Sequence, residues 1–142
     1  MKQLSLFETP HNFEPEFHAL VEPALLQVLE TNNILPHHLS FSRKKAYSSC
    51  TYKPSKTQED ADIHGGVVYR IRMRGEKSYV SIKARYGQWI PEGWPSKQTS
   101  DGYIKIYLDD VSDAERLAPL LVQVLDRVIE TFPKEFDCCS RY

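Results

Sequence analysis

Two stretches of alternating apolar and polar residues, joined by a short polar turn, constrain the fold of this 142-residue chain most strongly. Residues 67–74 and 78–86 each alternate, and Arg74-Gly75-Glu76-Lys77 separates them. Since side chains two positions apart on a strand share a face, the pattern predicts a β-hairpin with one buried face. The predicted inward set is Val67, Tyr69, Ile71, Met73, Val80, Ile82, Ala84 and Tyr86.

Other segments add strands to this hairpin. Residues 102–108 alternate in the same way and predict a third strand with Ile104, Ile106 and Leu108 inward. Residues 39–52 are rich in Phe, Tyr, Ser and Thr and predict one further strand, bent near Arg43. Residues 53–66 contain almost no apolar side chain and predict a long loop.

Apolar residues at three- and four-residue spacing predict a helix at each end of the folded part. The first begins at Pro15, and Pro23 is expected to divide it into two short helices, the second starting near Glu22. The last helix begins at Ser112, a suitable N-cap with Glu115 three residues on. Its apolar stripe is Leu117, Leu120, Leu121, Val124, Leu125, Val128, Ile129 and Phe132.

Strands clustered between two helices indicate an α+β fold. We predict an antiparallel sheet containing a three-stranded meander, with the N-terminal and C-terminal helices packed on one face. The length suits a single domain, residues 15–137. A flexible arm of residues 1–14 precedes it, and a cysteine tail of residues 138–142 follows.

Composition sets limits on partners and compartment. The formal net charge of −1 provides no overall attraction to nucleic acid or membrane, so electrostatic binding requires a local patch. No apolar run reaches the ~18 residues of a transmembrane helix. Three cysteines, two of them adjacent, do not form the pattern of a secreted disulfide framework. We therefore expect a cytoplasmic protein with no membrane partner.

The polar positions of the three predicted strands form a second face rich in cations and tyrosines. Cations that contact phosphates, interleaved with rings that stack on bases, are typical of platforms for single-stranded nucleic acid. The alternative is an ordinary solvated sheet face, where such side chains are common. The candidate nucleic-acid-binding residues are Arg70, Arg72, Arg74, Tyr79, Lys83, Arg85, Tyr103, Lys105 and Tyr107.

The N-terminal segment Gln3-Leu4-Ser5-Leu6-Phe7 resembles the peptide by which bacterial replication and repair proteins bind the DNA polymerase sliding clamp. The resemblance implies clamp binding through Gln3, Leu4, Leu6 and Phe7. Leu6 and Phe7 are adjacent apolar anchors suited to one hydrophobic pocket, and Gln3 offers a directional amide. The alternative is that the apolar residues cover the domain's own core or add an edge strand.

The C-terminal segment Phe136-Asp137-Cys138-Cys139-Ser140-Arg141-Tyr142 resembles the tail of an uncharacterised family of Gram-positive bacterial and mobile-element proteins. In that family the motif leads into a further cysteine-containing segment, so the tail that ends here at Tyr142 is a candidate for truncation. A structural zinc site needs four ligands, so we expect neither a metal site nor another cofactor. The resemblance implies no established activity.

No constellation of catalytic residues stands out. Glu59, Asp60, Asp62 and His64 offer metal ligands, but they occupy the least apolar stretch, where a solvated acidic loop is the simpler interpretation. The leading hypothesis is a non-enzymatic accessory module of bacterial or mobile-element origin, recruited to the clamp and contacting nucleic acid. The alternative is a protein-interaction or inhibitor domain that uses the sheet face and the loop of residues 89–95 with Trp89 and Trp94. That loop also suits a lid folded on the core.

Overall fold

A computed structural model of the chain describes residues 12–53, 66–74 and 77–140, the last nine of these as backbone only. Within these ranges two long helices flank a six-stranded sheet in sequence. The helices are α1 (Glu14–Thr31) and α2 (Asp113–Ser140), with short 3₁₀ helices at Pro36–His38 and Ala84–Trp89. The strands are β1 (Leu39–Arg43), β2 (Ser48–Tyr52), β3 (Val67–Arg72), β4 (Ser78–Lys83), β5 (Ser96–Gln98) and β6 (Tyr103–Leu108).

The strands form one open antiparallel sheet in the order β1-β2-β3-β4-β6-β5. The predicted meander lies at its centre as β3, β4 and β6. Strand β5, which the sequence did not reveal, precedes β6 in the chain but pairs on its outer side. The predicted α+β fold is confirmed.

Both helices pack on one face of this sheet and bury it. Phe17, Val21 and Leu25 of α1 are fully buried, and the Phe17 ring meets the Tyr69 ring edge to face at 5.5 Å between centroids. From α2, Leu117, Leu121 and Leu125 join the same core. Each such side chain contributes about 1.5–3 kcal/mol relative to exposure in water, so this face provides most of the driving force for folding.

Residues 39–52 form a hairpin of two strands, so the prediction of one bent strand was wrong. The Lys44 amide donates to the Tyr47 carbonyl oxygen over 2.7 Å and closes the turn between β1 and β2. All five residues of β2 are buried, including two serines and a threonine. Small hydroxyl side chains inside a paired strand do not produce the alternation by which strands are recognised.

The inward set of β3 was wrong at one position because the strand contains a β-bulge. Cys50 pairs with Tyr69 and Thr51 with Val67, which leaves Val68 as an extra residue on β3. An extra residue shifts the alternation of side chains by one position. Val68 is therefore fully buried, whereas Val67 is half-buried beside Arg70.

The predicted strand of residues 78–86 ends earlier, at Lys83. The β4–β6 ladder stops at the pair Lys83–Tyr103, and the Ala84 amide then donates to the Gly102 carbonyl oxygen over 2.9 Å. Beyond this point the chain turns into a 3₁₀ helix. Tyr86 remains buried there, stacked on Trp89 at 5.9 Å between centroids.

Helix α1 runs unbroken through Pro23, contrary to the predicted division into two helices. Proline removes one helical hydrogen bond and crowds the preceding turn. Pro23 itself is exposed, while Val21 and Leu25 on either side of it are fully buried. Packing on both sides of the proline offsets the local cost. Helix α2 begins at Asp113, directly after the predicted N-cap Ser112.

Candidate nucleic-acid interface

The sheet face opposite the helices, called here the outer face, carries one registered row of polar side chains across all six strands. Neighbouring strands lie about 4.8 Å apart, so this cross-strand row spans about 24 Å. It contains three cations and three hydroxyls, and no carboxylate. Its members, from β1 to β5, are Ser42, Ser49, Arg70, Ser81, Lys105 and Lys97.

Tyrosine rings lie against the cations of the row. The Arg70 guanidinium carbon lies 4.1 Å from the centroid of the Tyr103 ring and 5.2 Å from that of Tyr47. The Lys105 ammonium lies 4.4 Å from the centroid of the Tyr79 ring. These are cation–π distances. The predicted alternation of cations and rings is therefore a set of direct contacts.

Two concavities open on the outer face. The larger, the basic groove, has a volume of about 530 Å³ and is lined by Arg72, Arg74, Lys77, Tyr79, Lys105 and Tyr107. The smaller, the serine pocket, has a volume of about 230 Å³ and is lined by Ser42, Lys44, Tyr47, Ser49, Val67 and Arg70. Neither lining includes a carboxylate, so both concavities favour anions.

Arg74 belongs to a partly buried ion pair as well as to the groove. Its Nε and Nη2 donate to the carboxylate of Glu14 over 3.0 and 2.9 Å, and Glu14 is completely buried. Ser48 Oγ and the Met73 amide also donate to this carboxylate, over 2.6 and 3.1 Å. Burial alone would raise the pKa of Glu14, but these hydrogen bonds and the Arg74 charge outweigh it and lower the pKa.

The β1–β2 turn is held in place by the same arginine and its neighbour. Arg74 donates to the carbonyl oxygens of Lys44 and Lys45 over 3.1 and 2.5 Å, and Arg72 to that of Ala46 over 3.0 Å. Three consecutive carbonyls are thus fixed by guanidinium groups. Arg72 and Arg74, predicted as nucleic-acid ligands, thus donate three hydrogen bonds to the turn, and Arg74 donates two more to Glu14.

The other predicted residues are only partly brought together. Tyr79, Tyr103, Lys105 and Tyr107 lie on the outer face with Arg70, and Lys83 pairs with Tyr103 at the end of β4. Arg85 lies instead on the 3₁₀ helix, with its guanidinium carbon 5.1 Å from the Tyr86 ring centroid. The clamp-binding candidates Gln3, Leu4, Leu6 and Phe7 lie outside the described residues, so clamp binding stays a prediction.

Several outer-face residues were missed in the sequence. Ser42, Lys44, Tyr47 and Ser49 reach the face only because residues 39–52 fold back as a hairpin, and Lys97 only because β5 pairs with β6. The one available signal was the run Arg43-Lys44-Lys45 with Tyr47 nearby, a polar turn between two β-prone segments.

The loop that follows β4 packs back onto the domain. Trp94 Nε1 donates to the Tyr107 carbonyl oxygen over 2.7 Å, and the Arg116 guanidinium carbon lies 4.3 Å from a Trp94 ring centroid. Arg127 of α2 likewise lies over Trp89, at 5.3 Å. Both tryptophans are half-buried against the core. The loop therefore folds back on the core, as expected for a lid.

A second polar cluster lies beneath α1. His18 Nδ1 is 2.6 Å from the Tyr69 hydroxyl, while the buried Nε2 finds no hydrogen-bond partner among the described residues. Burial lowers the pKa of His18 to about 4, against a smaller opposing effect of the Glu14 charge. Burial also raises the pKa of the neighbouring Cys50 thiol, which keeps it protonated. This cluster is accordingly neutral at physiological pH.

Acidification should destabilise the protein through His18. Below its ordinary pKa of 6.5 the unfolded chain takes up a proton that the folded protein resists until about pH 4. The free energy of unfolding should therefore fall by about 2 kcal/mol over this window, since some exposure reduces the full effect. Urea unfolding at pH 4–7 measures it. His18→Asn should flatten the dependence of the free energy of unfolding on pH. His37→Asn, an exposed control, should leave that dependence unchanged. The same pH dependence in both variants and the wild type would contradict this account.

The described residues contain no metal centre and no membrane-spanning helix. Among the described residues, no three His, Cys, Asp or Glu side chains lie close enough together to hold a metal ion. The acids of residues 59–64 and the side chains of Cys138 and Cys139 lie outside the described part. Neither α1 nor the described part of α2 is apolar enough over a sufficient length to cross a membrane.

Fold and face together define the class: an α+β protein whose open antiparallel sheet is covered by two helices on one side and carries cations and tyrosines on the other. Comparison with known proteins finds no matching family, no matching curated protein and no matching solved structure.

Proposed function

We propose that this protein is a non-enzymatic accessory domain that binds single-stranded nucleic acid through its outer face. The observation that supports it most is the cross-strand row, in which Arg70, Lys105 and Lys97 share the row with three serines and no carboxylate. Lys97 and Lys105 are direct cross-strand partners. Like charges in this position repel, and a phosphate between them would relieve the repulsion.

The dimensions of the row suit a single strand. An open face about 24 Å wide accommodates several nucleotides lying across the strands. The tyrosine rings beside Arg70 and Lys105 provide surfaces for unpaired bases, which a duplex keeps stacked inside. A single strand can therefore place its phosphates on the row and its bases near the rings at the same time.

The local charge of the outer face is not uniform. Asp101, between β5 and β6, accepts a hydrogen bond from the Thr99 hydroxyl, and this bond, with a lesser contribution from the Arg70 charge, lowers the Asp101 pKa. Asp101 is thus an ionised carboxylate at neutral pH, and its charge acts on Arg70 of the row. We expect moderate affinity that depends strongly on salt, rather than tight binding.

The proposal is tested by titrating an internally labelled single-stranded oligonucleotide with the protein at several salt concentrations. Each phosphate contacted by a single-stranded ligand contributes a slope of about −0.7 to log affinity against log salt, so three cations predict about −2. A duplex of the same length should bind more weakly. No binding at low salt, or binding that does not change with salt, would rule out the proposal.

Recruitment to a sliding clamp forms the second part of the proposal. Asn12 pairs with Arg74, a residue that lines the basic groove, so the chain enters the domain at the groove. Phe7 precedes Asn12 by five residues, a distance of at most about 18 Å. A clamp bound to Gln3, Leu4, Leu6 and Phe7 would consequently keep the outer face close by.

Surface-immobilised clamp provides the test of this second part. The double variant Leu6→Ala/Phe7→Ala should bind at least roughly 30-fold more weakly, because it removes two apolar anchors worth about 1 kcal/mol or more each. Ser5→Ala, which changes a residue between the anchors, should bind like the wild type. Equal binding of the double variant and the wild type would show that the segment has another role.

A further inference from the structure

We propose that the serine pocket binds the terminal phosphate of a nucleic-acid strand, that is, a phosphomonoester. This inference rests on the proposed binding of nucleic acid by the outer face and assigns a specific part of the ligand to one end of it. The pocket is lined by two cations, Lys44 and Arg70, and by the hydroxyl-bearing residues Ser42, Ser49 and Tyr47.

The donors of the pocket match the charge of a terminal phosphate. A phosphomonoester carries about −1.5 to −2 charges at pH 7, whereas each internal phosphate of a strand carries only one. Lys44 and Arg70 bring two positive charges to one concavity of about 230 Å³. Ser42 Oγ and Ser49 Oγ lie 3.0 Å apart, so one donates to the other and the second keeps its proton for a ligand oxygen.

The position of the pocket favours the end of a strand over its interior. Strand β1 lies at the edge of the sheet, and Ser42 on β1 is the last member of the cross-strand row. A ligand that follows the row from Lys97 reaches this pocket where the row ends. A terminal group can stop there, whereas an internal nucleotide would have to continue past the sheet edge.

The pocket is also preorganised. Lys44 and Tyr47 belong to the β1–β2 turn, whose carbonyls are fixed by Arg72 and Arg74. Arg74 is in turn held by the buried carboxylate of Glu14, and Arg70 contacts the rings of Tyr47 and Tyr103. Donors already held in place lose little conformational entropy when they bind a ligand. This explains why two arginines on a basic face are used to hold a turn.

The inference is tested with three internally labelled oligonucleotides of one sequence: with a 5′-phosphate, with a 3′-phosphate, and with neither. One phosphorylated form should bind roughly tenfold more tightly than the unphosphorylated strand, because charge-assisted hydrogen bonds are added. The end that gives the preference defines the direction of the strand along the row. If all three oligonucleotides bind equally, the serine pocket does not bind a terminal phosphate, but the proposed function stands. If none of the three oligonucleotides binds, both the pocket proposal and the proposed function are wrong.

Two matched variants locate the preference. Lys44→Gln removes a cation from the pocket and should reduce the preference for the phosphorylated strand to less than roughly twofold. Lys97→Gln removes one charge at the opposite end of the row. It should weaken the binding of all three oligonucleotides to the same extent and retain the preference for the phosphorylated strand. A preference that survives Lys44→Gln, or that both variants abolish, would show that the terminal phosphate does not bind in the serine pocket.

Discussion

Replacing Glu14 with glutamine is expected to lower the free energy of unfolding by about 3 kcal/mol, the largest effect on stability that we predict for a single polar residue. The substitution retains the shape but leaves Arg74 without its counter-charge, and it replaces a carboxylate that accepts four hydrogen bonds. Because Arg74 also fixes the β1–β2 turn, the hairpin should loosen as well. Urea unfolding at pH 7 measures the loss.

The matched control is Glu115→Gln. Glu14 and Glu115 both lie in the first turn of a helix, so both substitutions remove a favourable interaction with the helix dipole, worth about 0.3–1 kcal/mol. Glu115 is exposed, so its substitution should cost no more than that. If the two variants were equally stable, the ion pair between Glu14 and Arg74 would not hold the N-terminus of α1 to the sheet.

The Glu14 variant should also respond differently to acid. The pKa of Glu14 is lowered in the folded protein, so its ionised form stabilises the fold above the unfolded pKa near 4.5, and this contribution is lost as the pH falls through the lower folded value. Glu14→Gln lacks this contribution. Below pH 4.5 its stability should therefore decline less steeply than that of the wild type.

Removing two cations from the cross-strand row is expected to weaken single-strand binding roughly 100-fold at low salt. The double variant Arg70→Gln/Lys105→Gln loses two charge-assisted contacts with phosphates, each worth about 1.5 kcal/mol. The salt dependence should decrease in parallel, with the slope about 1.4 units less negative. Oligonucleotide titrations at several salt concentrations measure both quantities.

The control for this experiment is Arg116→Gln/Arg127→Gln. It removes the same number of charges, and each of its arginines also lies over an aromatic ring, but both belong to α2 on the other side of the sheet. Its binding should stay within roughly twofold of the wild type, because neither arginine belongs to the row or lines the basic groove or the serine pocket. Equal losses in both double variants would mean that the outer face is not the binding surface.

Those parts of the fold that depend on local alternation and periodicity could be predicted. The central strands and α2 followed from side chains two, three and four positions apart, whose pattern reflects burial on one face. The β1–β2 hairpin could not be predicted, since Ser48, Ser49 and Thr51 are buried without being apolar. The bulge at Val68 was equally hidden, because it depends on pairing with β2 and not on β3 alone.

The candidate site shows the same division. The sequence by itself determined that Arg70, Tyr79, Tyr103, Lys105 and Tyr107 would share a face, because alternation along adjacent strands is a local property. Only the tertiary structure decided that Arg72 and Arg74 hold a turn, that Arg85 leaves the sheet, and that the row extends to Ser42 and Lys97. These features depend on contacts between residues far apart in sequence, namely the strand register, the β5–β6 pairing and the Glu14–Arg74 ion pair. Such contacts form only when the chain folds, so local sequence patterns do not reveal them.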